Sequence, residues 1–326
     1  PIPKKKRGIA FLYSGPIFRA MKRAGAAREH VAIAYEFPLV ASREASLRIE
    51  MKSPERAPAN WAKQWDGIAR ARASTLAAPV DTMGCERLFD PAASAAERRF
   101  QHLVSFILSA QSKDEKTKQS VDNLLQAGLA TPEKLAALQS ADELEVLIRP
   151  SGLYRAKAKA LIGTSRMLLE KHAGDVPSTL KELLELPGVG PKIANLALSV
   201  CWGKDEGIGC DVHVTRITQR LGWAKKGGDA EQTRKELEEW LPRSLWRPIN
   251  FMLVGFGQTV CAARPKCDEC PIADICPSVE KRKKLKTEEL VETSATAAAT
   301  TTYTVSMSTA ASKKKRETKK PKEEKD

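Results

Sequence analysis

The chain has 326 residues, ample for a sizeable core, and carries 54 Lys+Arg against 40 Asp+Glu for a formal net charge of +14. The excess sits at the ends: residues 1–80 hold 15 basic and 6 acidic side chains, residues 280–326 hold 13 and 8, and residues 81–279 are balanced at 26 of each. A nucleic-acid site in the middle must therefore come from placement of charge, not bulk basicity, and no apolar run approaches the roughly 20 residues of a membrane span.

In chain order, Pro3-Lys4-Lys5-Lys6-Arg7 has the form of a nuclear import signal. The first thirty residues hold eight basic residues and one acidic residue, Glu29, with Phe11, Leu12, Ile17 and Phe18 between them, a composition that a mitochondrial presequence shares. Residues 1–78 read as a basic, largely disordered extension with targeting signals, and the nucleus is the expected location, with the mitochondrion as the alternative. From Asp81 to Pro277 the apolar period is helical almost throughout. In Glu97–Gln111 the positions Phe100, Leu103, Val104, Ile107 and Leu108 recur at i, i+3, i+4, i+7 and i+8. Ser140 to Glu143 has the pattern of a capping box ahead of Leu144, Val146, Leu147 and Ile148. Gly152 separates that helix from one over Tyr154–Lys171. Ser178 is placed to cap Thr179–Leu186, a long helix follows Pro191, and Asp211 is placed to cap Val212–Leu221. Two more helices are expected over Glu231–Leu241 and Leu245–Val260. No stretch alternates long enough for a sheet, so the fold class is all-α with short connections. Residues 281–326, almost all Ala, Thr and Ser from Thr293 to Ser312 and then lysine-rich, read as a basic disordered tail.

Three features carry chemistry. Leu186-Pro187-Gly188-Val189-Gly190-Pro191-Lys192 joins two amphipathic helices. Its glycines permit a tight turn with outward N–H groups, and Pro191 suits the first helical position, where its missing N–H costs nothing. Such a turn with a helix N-terminus can grip an anion such as a phosphate. By itself a G-x-G is more often a connector, and Lys192 a solvated lysine. A nucleophilic lysine needs its charged form suppressed, by partial burial or positive neighbours. Asp211 opens the next helix after Gly207-Ile208-Gly209-Cys210, with His213 and Arg216 on the first turns. It reads as an N-cap, and a carboxylate facing a lysine can also shuttle protons or steady a sugar cation. Finally, Cys261, Cys267, Cys270 and Cys276 form C-x5-C-x2-C-x5-C, too tight for ordinary disulfide pairing and suited to four thiolates on one inorganic centre. Tetrahedral zinc and a cubane iron–sulfur cluster both accept that ligand set.

L-P-G-V-G-P-K, followed nineteen residues later by Asp211 in C-D-V-H and then by the four cysteines, closely resembles endonuclease III, most of all its eukaryotic form, over about Pro79 to Pro277. The resemblance implies a two-lobed helix–hairpin–helix DNA glycosylase fold. A six-helix barrel would span 95–204, and residues 79–94 plus 205–280 would form the cluster-bearing lobe. It implies Lys192 as the nucleophile that attacks C1′ of a damaged nucleotide, Asp211 as the catalytic aspartate, and the four cysteines as ligands of a [4Fe–4S] cluster. It implies DNA contacts from Gln111 in Leu108-Ser109-Ala110-Gln111, from Leu153 as a wedge, from the hairpin Gly188, Val189 and Gly190, and from His213 and Arg216. The expected activity is excision of oxidised pyrimidines from double-stranded DNA with β-elimination at abasic sites, by a monomer with no membrane partner. Related adenine and mismatch glycosylases typically lack a lysine at position 192, and a non-catalytic binding module would need neither Lys192 nor Asp211. One departure is a five-residue gap, Ala262 to Lys266, where the family usually has six; that loop would offer Arg264 and Lys266 to the DNA backbone.

Overall fold

A computed structural model of the chain describes residues 56–74 and 78–279. The import-type run, the presequence-like segment and the tail from residue 280 lie outside the described residues. Those that are described form helices, short 3-10 turns and connections, with no strand among them, as the all-α reading expects. None of the helices among the described residues is long and apolar enough to cross a membrane.

The helices surround two hydrophobic cores. The first runs from Leu88 to Val200 and is enclosed by α3 (Ala95–Ser109), α4 (Asp114–Gln126), α5 (Pro132–Ala136), α6 (Asp142–Ile148), α7 (Tyr154–Lys171), α8 (Leu180–Glu185) and α9 (Pro191–Trp202). Helix α3 lies at its centre: nine consecutive residues, Phe100 to Leu108, are buried. The second core is built by α1 (Trp61–Ser74), α10 (Val212–Leu221), α11 (Ala230–Glu238) and α12 (Trp246–Thr259), with Ile272 from the cysteine-bearing segment. Helix α2 (Pro79–Met83) and the turn after it pass between the two: Val80 packs on the second core, whereas Leu88 belongs to the first.

Helix α1 falls inside the stretch that composition assigned to the unpacked extension. Its buried residues Trp61, Gln64, Gly67, Ile68 and Arg72 share one helical face, a narrow stripe on a segment whose other positions are mostly polar or small. Trp61 meets Trp240 edge to face with centroids 5.4 Å apart. The Gln64 amide donates to the Ile275 carbonyl at 2.8 Å, and a Cβ at Gly67 would collide with the Ile272 side chain. Arg72 and Asp81 form a buried ion pair that fastens α1 to α2. The folded unit thus begins at least as early as Trp61, because a second core of this size needs the tryptophan and isoleucine of α1 to close it.

Several local expectations shift. Helix α3 stops at Ser109, two residues short of Gln111. Helix α6 has Ala141 at its N-cap without a side-chain bond; Ser140 instead accepts the Asp142 N–H at 3.1 Å. Thr179, one residue after Ser178, caps α8 through the Glu182 N–H.

Candidate active site and metal centre

The hairpin between α8 and α9 docks on α7. Gly188 adopts φ +78°, and a Cβ there would come 2.8 Å from that of Ala160, so both conformation and space demand glycine. Thr164 Oγ1 donates to the Pro187 carbonyl at 2.8 Å, which pins the turn. Val189 is buried, and its N–H is spent on the Leu186 carbonyl at 3.1 Å. Its expected DNA contact through side chain or amide therefore has no support; packing claims the side chain. Gly188 is exposed, Gly190 is the N-cap of α9, and no side chain caps the first turn of that helix. The amides left for an anion are those flanking Val189, together with the first turn of α9.

Lys192 is half-buried in that turn. The segment after α9 returns beside it because Gly207 and Gly209 lie against Asn195 and Leu196; a Cβ on Gly209 would sit 2.5 Å from Leu196 Cδ2. Asn250 holds the return by donating to the Gly209 carbonyl at 2.6 Å. Asp211 then caps α10, with Oδ1 accepting the His213 and Val214 N–H groups at 2.8 Å each. Its second oxygen takes neither helix amide and remains for other work. Lys192 acts electrostatically on Cys210 and His213, which flank Asp211 by one and two residues, so hairpin and α10 N-terminus converge.

Two further groups complete the cluster. Asp114, in the first turn of α4, is partly buried; burial raises its proton affinity, the Gln258 hydrogen bond and the charges of His213 and Lys192 lower it, and Glu115 raises it. Gln258 donates to Asp114 Oδ2 at 2.7 Å while accepting the Val80 N–H at 3.0 Å, so one amide ties α12 to both α2 and α4. Burial pushes the Cys85 thiol up to about 11, with Lys192 among the groups opposing the shift, so it stays protonated near neutrality. No sequence motif marks Asp114 for a role. Only its neighbours in space single it out.

His213 is half-buried at the start of α10, and Arg216 spends its donors on it and on the cysteine loop. Arg216 Nη2 approaches His213 Nδ1 at 3.1 Å and donates to the Cys261 carbonyl at 3.0 Å. Arginine can only donate, so Nδ1 accepts and the proton belongs on Nε2. Burial lowers the His213 affinity for a second proton; Arg216 and Lys192 act in the same sense, against Asp211 and Asp114. Arg216 is thus turned inward, toward the cysteine loop.

Gln111 and Leu153 are both exposed, Leu153 by 57 %, and both have left-handed backbone, φ 51° and 48°. Gln111 does not extend the apolar stripe of α3; it stands in the turn beyond the helix. Nor is Leu153 an ordinary core leucine. Such backbone costs about 1 kcal/mol or more per residue and concentrates where structure serves binding.

The four cysteines lie in one segment, each partly buried. The Cys270 thiol is pushed up by burial and further by Cys261, Cys276 and Cys267, so the four sulfurs lie within reach of one another's charge. Among the described residues no three His, Cys, Asp or Glu side chains are close enough to hold a single ion. Arg220 Nη1 donates to Cys261 Sγ at 3.3 Å and to the Ala262 carbonyl at 2.6 Å, and Nη2 reaches the Ala263 carbonyl at 2.8 Å. An all-sulfur donor set backed by a cation fits a polynuclear iron–sulfur group, whose several irons spread the thiolates wider than one zinc would. Arg264 and Lys266 project outward from the shortened loop.

Comparisons with known proteins agree with this geometry. The HhH-GPD superfamily base excision DNA repair protein model matches residues 104–243, and the iron–sulfur binding domain of endonuclease III matches residues 264–276, which include three of the four cysteines. Endonuclease III-like protein 1 of Bos taurus is 45% identical over 231 residues, covering 70% of this chain and 74% of that protein. The Gallus gallus protein of that name is 41% identical over 273 residues, covering 81% and 96%. A solved non-covalent endonuclease III–DNA complex superimposes with a TM-score of 0.58 at 31% identity, covering 67% of this chain and 94% of that one. The chain belongs to the endonuclease III family, within the helix–hairpin–helix superfamily of base excision DNA repair proteins, and carries that family's [4Fe–4S] binding domain.

Proposed function

We propose that this protein is a bifunctional DNA glycosylase and abasic-site lyase that removes oxidised pyrimidines from double-stranded DNA. The observation that carries the reading is Lys192, half-buried beside a glycine turn and within electrostatic reach of Asp114, Cys210 and His213. The damaged nucleotide leaves the stack, at a cost that is least for a lesion. Lys192 Nζ attacks C1′, and the base departs with the electron pair of the glycosidic bond. Asp211 steadies the positive charge developing on the sugar and helps take the proton shed by the amine. The C1′–O4′ bond then opens, O4′ taking a proton, and the resulting protonated Schiff base acidifies the C2′ hydrogen; its removal expels the 3′ phosphate by β-elimination. Amides flanking Val189 and those at the start of α9 serve a DNA phosphate, and Gln111 and Leu153 enter the opened stack. Cys261, Cys267, Cys270 and Cys276 hold the [4Fe–4S] group, which when bound ties the loop into one rigid support and takes no part in the reaction.

The reading also makes the protein a monomer on DNA, with its basic ends serving import to nucleus or mitochondrion and nonspecific attraction. Reductive trapping tests it. Borohydride should link the protein covalently to a duplex carrying an abasic site, and Lys192→Gln should abolish that link, a loss of at least about 10³-fold for removing the attacking group. Undiminished trapping by the variant would end the assignment. The same assay on duplexes each carrying one lesion would define the substrate range.

A further inference from the structure

Lys157 lies on α7, is 5% exposed, and has no part in the chemistry described above. Its ammonium donates to two backbone carbonyls at 2.8 Å each: that of Leu108, in the last turn of α3, and that of Ser151, in the turn before α7. Its own backbone N–H donates to the Leu153 carbonyl at 3.0 Å. Leu108 precedes Gln111 by three residues and Ser151 precedes Leu153 by two. One buried cation therefore bridges the bases of the two loops whose tips are exposed and left-handed. Burial is what depresses its proton affinity, and no carboxylate contributes to the shift. A lysine sequestered this way is costly unless its donors are used. Here they are used on carbonyls 43 residues apart in sequence, one of them an orphan of a helix end.

We propose that Lys157 is a positioning residue that yokes the Gln111 and Leu153 loops into one two-pronged wedge, so that both side chains enter the base stack together. The proposal rests on the reading that these two residues insert into DNA, and it adds that they do so as a unit. A flexible pair would each have to be ordered on binding; a clamped pair arrives with its separation already set.

The test uses the full chain and a duplex carrying a tetrahydrofuran abasic analogue with 2-aminopurine opposite, whose emission rises when the base unstacks, alongside trapping on a natural abasic site. Gln111→Ala and Leu153→Ala are each expected to cut the emission rise and the trapping rate about tenfold, and the double variant to lose no more than about twofold beyond either single, because coupled prongs fail together. Lys157→Met is expected to match the single variants, and adding Leu153→Ala to it to cost less than about twofold. Lys157→Arg, which keeps charge and donors, should recover at least half of the signal. Losses that multiply to about a hundredfold in the double variant would overturn the yoke, since independent prongs behave that way. Full emission from Lys157→Met would overturn it too. Should Lys157→Met fail to fold, the Gln111–Leu153 cycle in the wild-type background decides alone. If neither Gln111→Ala nor Leu153→Ala changes either signal, the insertion reading falls and takes the yoke with it, whereas loss of trapping by Lys192→Gln stands apart from both.

Discussion

Asp211 does two jobs with two oxygens. Oδ1 caps α10, and the cap by itself is worth about 1 kcal/mol. The other oxygen is what the proposed chemistry uses. The two roles separate by substitution: Asp211→Asn keeps a side-chain acceptor for the helix amides but loses the negative charge. It should melt within about 1 kcal/mol of wild type and lower the single-turnover trapping rate by about 10²- to 10⁴-fold, measured together by calorimetry and borohydride capture. A large drop in melting temperature with trapping unchanged would reduce Asp211 to a cap. Lys192 and Asp211 were legible in the sequence because their motif is local and rigidly spaced. Asp114 and Lys157 were not. An aspartate at a helix start and a lysine within a helix are ordinary until Gln258, Leu108 and Ser151 approach from 144, 49 and 6 residues away.

Helix α10 joins the two centres. Asp211 and His213 stand at its start, facing the hairpin, while Arg216 and Arg220 further along hold the Cys261–Ala263 backbone. The Asp211 cap and the cysteine loop are thereby mounted on one ten-residue rod. Arg220→Met removes the donors to Cys261 Sγ and two carbonyls while keeping much of the apolar stem. The variant should lose its visible iron–sulfur absorption several-fold faster under a chelator, as removal of an outer partner of a metal ligand typically does, with far-ultraviolet dichroism unchanged. Equal rates would show that the loop holds itself. Helix α1 supports the same loop from behind. Ile68 is fully buried in the second core, so Ile68→Ala should cost about 2–5 kcal/mol in denaturant unfolding. A cost below about 0.5 kcal/mol would mean that α1 is dispensable to the second core. Charge and small residues hid this helix from composition, since its buried face is only a narrow stripe.

Across the molecule, one buried histidine, His102, and one half-buried histidine, His213, tie stability to pH. Burial lowers the proton affinity of His102 first, with Arg98 acting in the same sense and the Cys85 carbonyl opposing; His213 shifts the same way. Below the ordinary histidine value of about 6.5 the unfolded chain binds protons that the folded chain resists. Stability should therefore be fully present above 6.5 and fall as pH drops below it, and His102→Gln should flatten part of that fall in melting curves at pH 7 and 5.5. A steeper fall in the variant would reverse the sign of the argument.

The amino-acid order alone determined the helical class, most helix positions, the hairpin with Lys192, the Asp211 cap and the four-thiolate set. Each of those is written in short-range periodicity or spacing, which the chain carries wherever it folds. Tertiary structure alone decided that Val189 packs inward, that Arg216 serves the cysteine loop, that Gln111 and Leu153 stand exposed on left-handed turns over one buried lysine, and that α1 closes the second core. Those outcomes depend on which distant carbonyl, ring or methyl group arrives beside a given side chain. Burial and hydrogen bonding are settled by such encounters, and no local pattern encodes them.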